Sequence, residues 1–151
     1  MFVFHIGHSR YASDLTGKGA ELHGGRWNEA GLPCIYAASS RSLGILEYAA
    51  NVKLEYLPAS LAMTTYEIPD NCWRTISLQE LPANWQERPF PTETVAFGSD
   101  LLRKREHLAF RIPSVIVPAE HNFILNPLHL DFNQVKIAGI EPLEFDTRIK
   151  Q

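Results

Sequence analysis

Apolar and polar positions along this chain recur in short runs rather than in long helical stripes. Residues 1–6 set Phe2, Val3, Phe4 and Ile6 around His5 and predict a first strand. Residues 7–22 are polar and glycine-bearing and read as loop. Gly24-Gly25 marks a turn or a close backbone approach, since glycine enters such conformations cheaply. A second strand is predicted over 32–37 and a helix over 41–52, with Ser39 or Ser40 as its N-cap. Further strands are expected at 61–68 and 73–76, and the proline-rich stretch 77–93 reads as surface loop. A second helix is predicted over 94–107, with Arg103, Lys104 and Arg105 in its last turn, where the helix dipole favours cations. Pro113 and Pro118 bracket a predicted strand at 114–117, Asn126-Pro127 makes a turn, and strands at 135–140 and 143–145 close the chain. Strands with one central helix and two lesser helical segments, in no regular alternation, predict an α+β fold with a mixed or largely antiparallel sheet.

Composition narrows the function classes. A chain of 151 residues, 45% hydrophobic and 21% charged, suits one domain with a real core, here expected to span 1–151. The net charge of −3 offers no global positive field for nucleic acid or an anionic membrane. Two cysteines, Cys34 and Cys72, make neither a disulfide framework nor a four-ligand zinc site and read as reduced thiols. The first residues carry no basic stretch before an apolar run, and no apolar run reaches the ~20 residues of a membrane span. A soluble cytoplasmic protein is the expectation.

The segment from His23 to Asn51 concentrates the candidate chemistry. On the predicted helix, Glu47 shares a face with Leu43, Leu46 and Ala50. A carboxylate in such company is either paired in a structural salt bridge or faces a cleft. Arg26, in the run Gly24-Gly25-Arg26-Trp27-Asn28, offers a planar cation beside exposed amides; it either holds an anion or pairs with a nearby acid. Tyr36 ends the second strand and either stacks on a flat ring or sits in the core with its hydroxyl bonded. Ser114 either donates to a ligand or begins a strand.

Other motifs fail. His5 and His8 would point to opposite faces of a strand, a poor metal pair. Gly17-Lys18-Gly19 lacks the earlier glycine and the Ser or Thr of a phosphate-binding loop. Cys34 has no setting that would make it a nucleophile, and residues 103–105 are a solvated helix end.

Laid out in order, the run at residues 24–28 (GGRWN), the strand end at 35–40 (IYAASS) and the helix carrying Glu47 resemble the RES-domain family. The likeness continues through residues 112–118 (IPSVIVP), 122–129 (NFILNPLH) and 145–148 (FDTR), nearly the whole chain. The resemblance implies a bacterial toxin that destroys NAD, with a split sheet like that of ADP-ribosyltransferase toxins. It further implies a helix-turn-helix antitoxin that plugs the pocket. It gives catalytic roles to Glu47, Tyr36 and Arg26, and substrate-binding roles to His5, Ser114 and Asn126. The family's first strand usually carries an aromatic followed by arginine. Here that place is His5, and diphtheria-like transferases hold the ribose with a histidine at a comparable position. The tryptophan common in the family near residues 98–102 is absent.

The implied reaction breaks the nicotinamide–ribose bond of NAD with water or inorganic phosphate as acceptor, and with no cofactor or metal. Glu47 would stabilise the oxocarbenium-like ribose, Tyr36 would stack on nicotinamide, and Arg26 would hold the pyrophosphate. Two alternatives share the pocket: ADP-ribosyl transfer to a protein, and a catalytically weak module that binds NAD or a partner. Neither direct nucleic-acid contact nor membrane association is expected; a homodimer is allowed for.

Overall fold

Phe2–His8, with Val3, Phe4 and Ile6 buried, forms β1, near the middle of a seven-stranded sheet. The structure is a computed structural model, and it describes residues 1–150. After β1 come α1 (Lys18–His23), β2 (Ile35–Ala38), α2 (Arg41–Asn51), β3 (Leu61–Glu67) and β4 (Trp73–Thr75). The chain then forms α3 (Thr92–Lys104), β5 (Ala109–Pro113), β6 (His121–Leu125) and β7 (Lys136–Leu143). The strands lie in the order β4-β5-β6-β2-β1-β3-β7. All neighbours are antiparallel except β4 and β5, so the sheet is mixed and the fold is α+β.

One junction in this sheet positions the site. β1 pairs with β3 along its whole length, from Phe2↔Glu67 to His8↔Leu61. β2 pairs with β6 from Ile35↔Leu125 to Ala38↔Asn122. Between them, β1 and β2 meet only at Phe4↔Ala38. The sheet is thus two ladders that part at this seam. Side chains there can enter a space that backbone pairing would otherwise close.

Alternation along β6 sends Ile124 to one face and Phe123 and Leu125 to the other. The first face packs Ile124 with Phe110, Ile112, Trp27, Trp85 and Leu102 of α3. The second packs Phe123 and Leu125 with Val3, Ile35, Tyr66 and Val135. A third cluster places Ile45 and Tyr48 of α2 against Phe4, Ile6 and Met63. Ser40 caps α2, its hydroxyl accepting from the Leu43 amide at 3.1 Å.

Four expectations need correction. Residues 114–117 are a turn, and the strand is the preceding Ala109–Pro113. The Ser114 hydroxyl accepts from the amides of Ile116 and Val117, local bonds that compete with a ladder. The second helix stops at Lys104, because Arg105 turns left-handed at φ 54°. The loop expected at 7–22 contains the start of α1, a helix too short and exposed to show a periodic apolar stripe. The two closing strands are one, β7, which runs through Pro142. Proline is tolerated there because β7 is the sheet's edge.

Candidate active site

A cavity of about 560 Å³ lies at the seam, walled by β1, β2, β6, α2, the Gly24–Trp27 turn and the segment Arg88–Phe90. Its size falls in the range of small-molecule sites. His5, Arg26, Tyr36 and Glu47 all line it. Four of the six residues singled out from sequence therefore converge on one space.

Glu47 projects from α2 into this cavity. Its Oε1 accepts from Ser114 Oγ at 2.7 Å and from Asn122 Nδ2 at 2.5 Å. Ser114 is fully buried, and its two lone pairs take the amides of Ile116 and Val117 at 3.0 and 3.1 Å. A hydroxyl has one proton to give, so that proton is committed to Glu47. Among the described residues, Oε2 accepts no hydrogen bond. One carboxylate oxygen is thus clamped by neutral donors, and among the described residues no cation is salt-bridged to the group. Ser114 itself does not line the cavity; its task is to hold the acid.

Tyr36 is fixed by the GGRWN turn. Its hydroxyl donates to Asn28 Oδ1 at 2.6 Å and accepts from the Trp27 amide at 3.1 Å. Burial holds the phenol well above its ordinary pKa, so it stays neutral. Asn28 is buried, and its amide donates to the carbonyls of Ala20 (2.9 Å) and Leu32 (3.0 Å). Gly25 is required by close approach: a Cβ there would lie 2.7 Å from the Tyr36 hydroxyl. The bonded hydroxyl is the structural reading of Tyr36, and the residue also lines the cavity wall.

Arg26 spends one terminal nitrogen on the protein. Nη1 donates to the carbonyls of Trp85 (2.7 Å) and Glu87 (3.1 Å), and the guanidinium carbon lies 5.7 Å from the Phe90 ring centre. Burial, and then the nearby charge of Arg88, lower its pKa. It pins the segment 85–90, which the sequence analysis read as plain surface loop.

His5 bridges the seam. Its Nδ1 lies 2.7 Å from the Tyr36 carbonyl, which can only accept, so Nδ1 carries the hydrogen. Burial lowers its pKa, so the ring is neutral and Nε2 is left as an acceptor. A side chain here stands in for the ladder bond that the parted strands cannot make.

Asn126 is a correction. It lies apart from the cavity wall, fully buried, with its amide on the Leu102 carbonyl (2.9 Å) and its oxygen taking the Leu128 amide (3.1 Å). It ties the end of α3 to the turn after β6. Two cavity residues were missed, Asn122 and Arg88. Asn122 sits two positions before Ile124, opposite Ala38, and only the β2–β6 register could reveal that it faces Glu47. Cys34 is buried, with its thiol pKa pushed up to about 12, and takes no part.

The RES domain model matches residues 2–147. A curated relative named "Toxin Res", from Yersinia enterocolitica, is 37% identical across 99% of this chain and all of its own length. A second, named "Prs ADP-ribosylating toxin", from a Sphingobium species, is 35% identical across 91% of this chain and 88% of its own. A chain in the crystal structure of the M. tuberculosis MbcT–MbcA toxin–antitoxin complex superposes with a TM-score of 0.78. It covers 94% of this chain and 83% of that one, at 16% identity, a likeness of fold. With the motif residues of the turn, the seam and α2 in place along its whole length, this chain belongs to the RES domain family.

Proposed function

We propose that this protein is a toxin-type enzyme that breaks the nicotinamide–ribose bond of NAD and passes the ADP-ribosyl group to phosphate or water. The observation that carries the reading is the clamped Glu47, whose one oxygen is held by Ser114 and Asn122 while the side chain lines the cavity. In the reaction the bond from the ribose C1′ to the pyridinium nitrogen breaks, and its electron pair returns to that nitrogen. Nicotinamide leaves neutral and needs no general acid. Positive charge moves onto the ribose, and an oxygen of phosphate or water bonds to C1′; the proton of water passes to solvent.

Glu47 stabilises the cationic ribose by charge. At 4 Å and an effective dielectric near 20 this attraction is about 4 kcal/mol, roughly a thousandfold in rate. Preorganisation by two neutral donors spares the carboxylate from reorienting as charge develops. Tyr36 stacks on nicotinamide, and His5 offers Nε2 as acceptor to a ribose hydroxyl. NAD is the substrate in this reading, and no cofactor is invoked.

Incubating the protein with NAD and quantifying nicotinamide, with and without inorganic phosphate, tests the proposal. Release of nicotinamide with ADP-ribose or its 1″-phosphate ester is expected; an absence of release overturns it. A second reading, ADP-ribosyl transfer to a protein, is supported by the name of the Sphingobium relative, an ADP-ribosylating toxin. Labelled NAD would then mark protein instead of yielding free product. The structural neighbour belongs to a toxin–antitoxin complex, which supports an antitoxin partner; we take it to be a helix-turn-helix protein that covers the cavity. Such a toxin acts on the NAD of the cytoplasm that makes it.

A further inference from the structure

Two arginines line the same cavity, Arg26 and the exposed Arg88, and they are not equivalent. Arg26 has both hydrogens of Nη1 on the carbonyls of Trp85 and Glu87, and its guanidinium carbon lies 5.7 Å from the Phe90 ring centre. It is committed to fixing the chain segment that follows. Arg88 lies one residue beyond that tether and lines the cavity. Among the described residues it has no hydrogen-bond partner and no ion pair. Its five donors are free.

Like charges in one cleft repel, and among the described residues neither arginine is neutralised by a salt bridge. The cavity's own acid, Glu47, is held by Ser114 and Asn122 rather than by either arginine. An anion placed between the two guanidiniums would relieve this repulsion, and a planar fork suits phosphate oxygens. Burial, and then the nearby charge of Arg88, lower the pKa of Arg26, in keeping with two cations beside one space. The cavity therefore carries both signs, an acid for a developing cation and unpaired cations for an anion.

We propose that Arg88 is the residue that grips the anionic linkage of the ligand, a diphosphate-linked nucleotide, while Arg26 holds the segment that presents it. The identity of that ligand rests on the NAD reading above; the grip itself does not. Arg26 contributes its remaining donors from behind, but the specific contact belongs to Arg88. A solvated surface arginine would show no such selectivity, and this makes the two readings separable.

Calorimetric titration of the full chain with ADP-ribose and with uncharged adenosine decides it. In R88Q, ADP-ribose is expected to bind about tenfold or more weakly, with R88K intermediate and adenosine unchanged. ADP-ribose affinity in R88Q within about twofold of the parent overturns the proposal. An equal loss for adenosine also overturns it, because the change would then be structural. In a nicotinamide-release assay, R88Q should raise KM for NAD about tenfold or more and hold kcat, the mark of an interaction equal in ground and transition states. Should the parent bind ADP-ribose through Arg88 yet release no nicotinamide, the grip stands and the NAD-cleavage reading falls. Release that is unaffected by R88Q means the reverse.

Discussion

Ser114 donates its only hydroxyl proton to Glu47 at 2.7 Å, across 67 positions of sequence. The donor stands in the turn after β5 and the acceptor on the second turn of α2, so the bond ties a helix to the far half of the sheet. Asn122 adds a second donor to the same oxygen from the start of β6. Two neutral groups thus fix the acid, and among the described residues no cation is paired with it.

Glu47→Gln keeps an oxygen for Ser114 and Asn122 but removes the charge. Thermal stability should change little, while nicotinamide release should fall roughly a thousandfold, the Coulomb contribution estimated for the proposed reaction. Turnover equal to the parent would remove Glu47 from the chemistry. The comparison needs only a melting curve and a product assay.

Ser114→Ala deletes the proton given to Glu47 and also the acceptor of the Ile116 and Val117 amides. Unfolding free energy should drop by about 1–3 kcal/mol, read by chemical denaturation. Turnover should fall about tenfold from lost orientation, with little change in KM for NAD.

Gly98→Ala places a Cβ against the backbone of Trp27, its nearest neighbour being the Trp27 carbonyl. Alanine is the better helix former by about 1 kcal/mol, but a backbone neighbour cannot swing aside. The clash should dominate, costing about 1–3 kcal/mol of stability. Because the Trp27 amide holds the Tyr36 hydroxyl, turnover should fall as well. Denaturation and nicotinamide release measured on one preparation would show both effects.

Burial lowers the pKa of His5 below its ordinary 6.5. Below that pH the unfolded chain takes up a proton that the folded chain refuses, so stability falls with acidification, by up to about 1.4 kcal/mol per pH unit. Above pH 6.5 both states are neutral and this dependence vanishes. His121, also lowered by burial and then by Arg111, acts in the same window. His5→Asn, which can keep a donor for the Tyr36 carbonyl, should remove the His5 share of the slope and leave that of His121. Urea midpoints between pH 5 and 8 would measure it.

Local chemistry made several elements legible. Ser40 followed by an apolar-rich run defines α2, and a seven-residue run of mostly large side chains defines β3. Gly24-Gly25 reads as a turn or a close approach, and both hold: Gly24 has φ 69°, and a Cβ on Gly25 would meet the Tyr36 hydroxyl, 11 positions away along the chain. Misreadings fell where long-range contacts outweighed local pattern. Valine and isoleucine at 115–117 look like a strand, yet the Ser114 hydroxyl turns the chain there. β6 was not assigned as a strand, although it forms the wall that brings Asn122 to Glu47.

The order of residues along the chain was enough to select α+β and to pick out Glu47, Tyr36 and Arg26, because charge or aromatic character among apolar neighbours is a local property; His5 entered through the family resemblance. What each of them does was decided by packing. The seam between β1 and β2 turned His5 into a bridge to the Tyr36 carbonyl, the turn after β5 made Ser114 a clamp instead of a ligand, and α3 took Asn126 for its own end. These assignments depend on strand register and on contacts between distant segments, and neither is written in the spacing of residues.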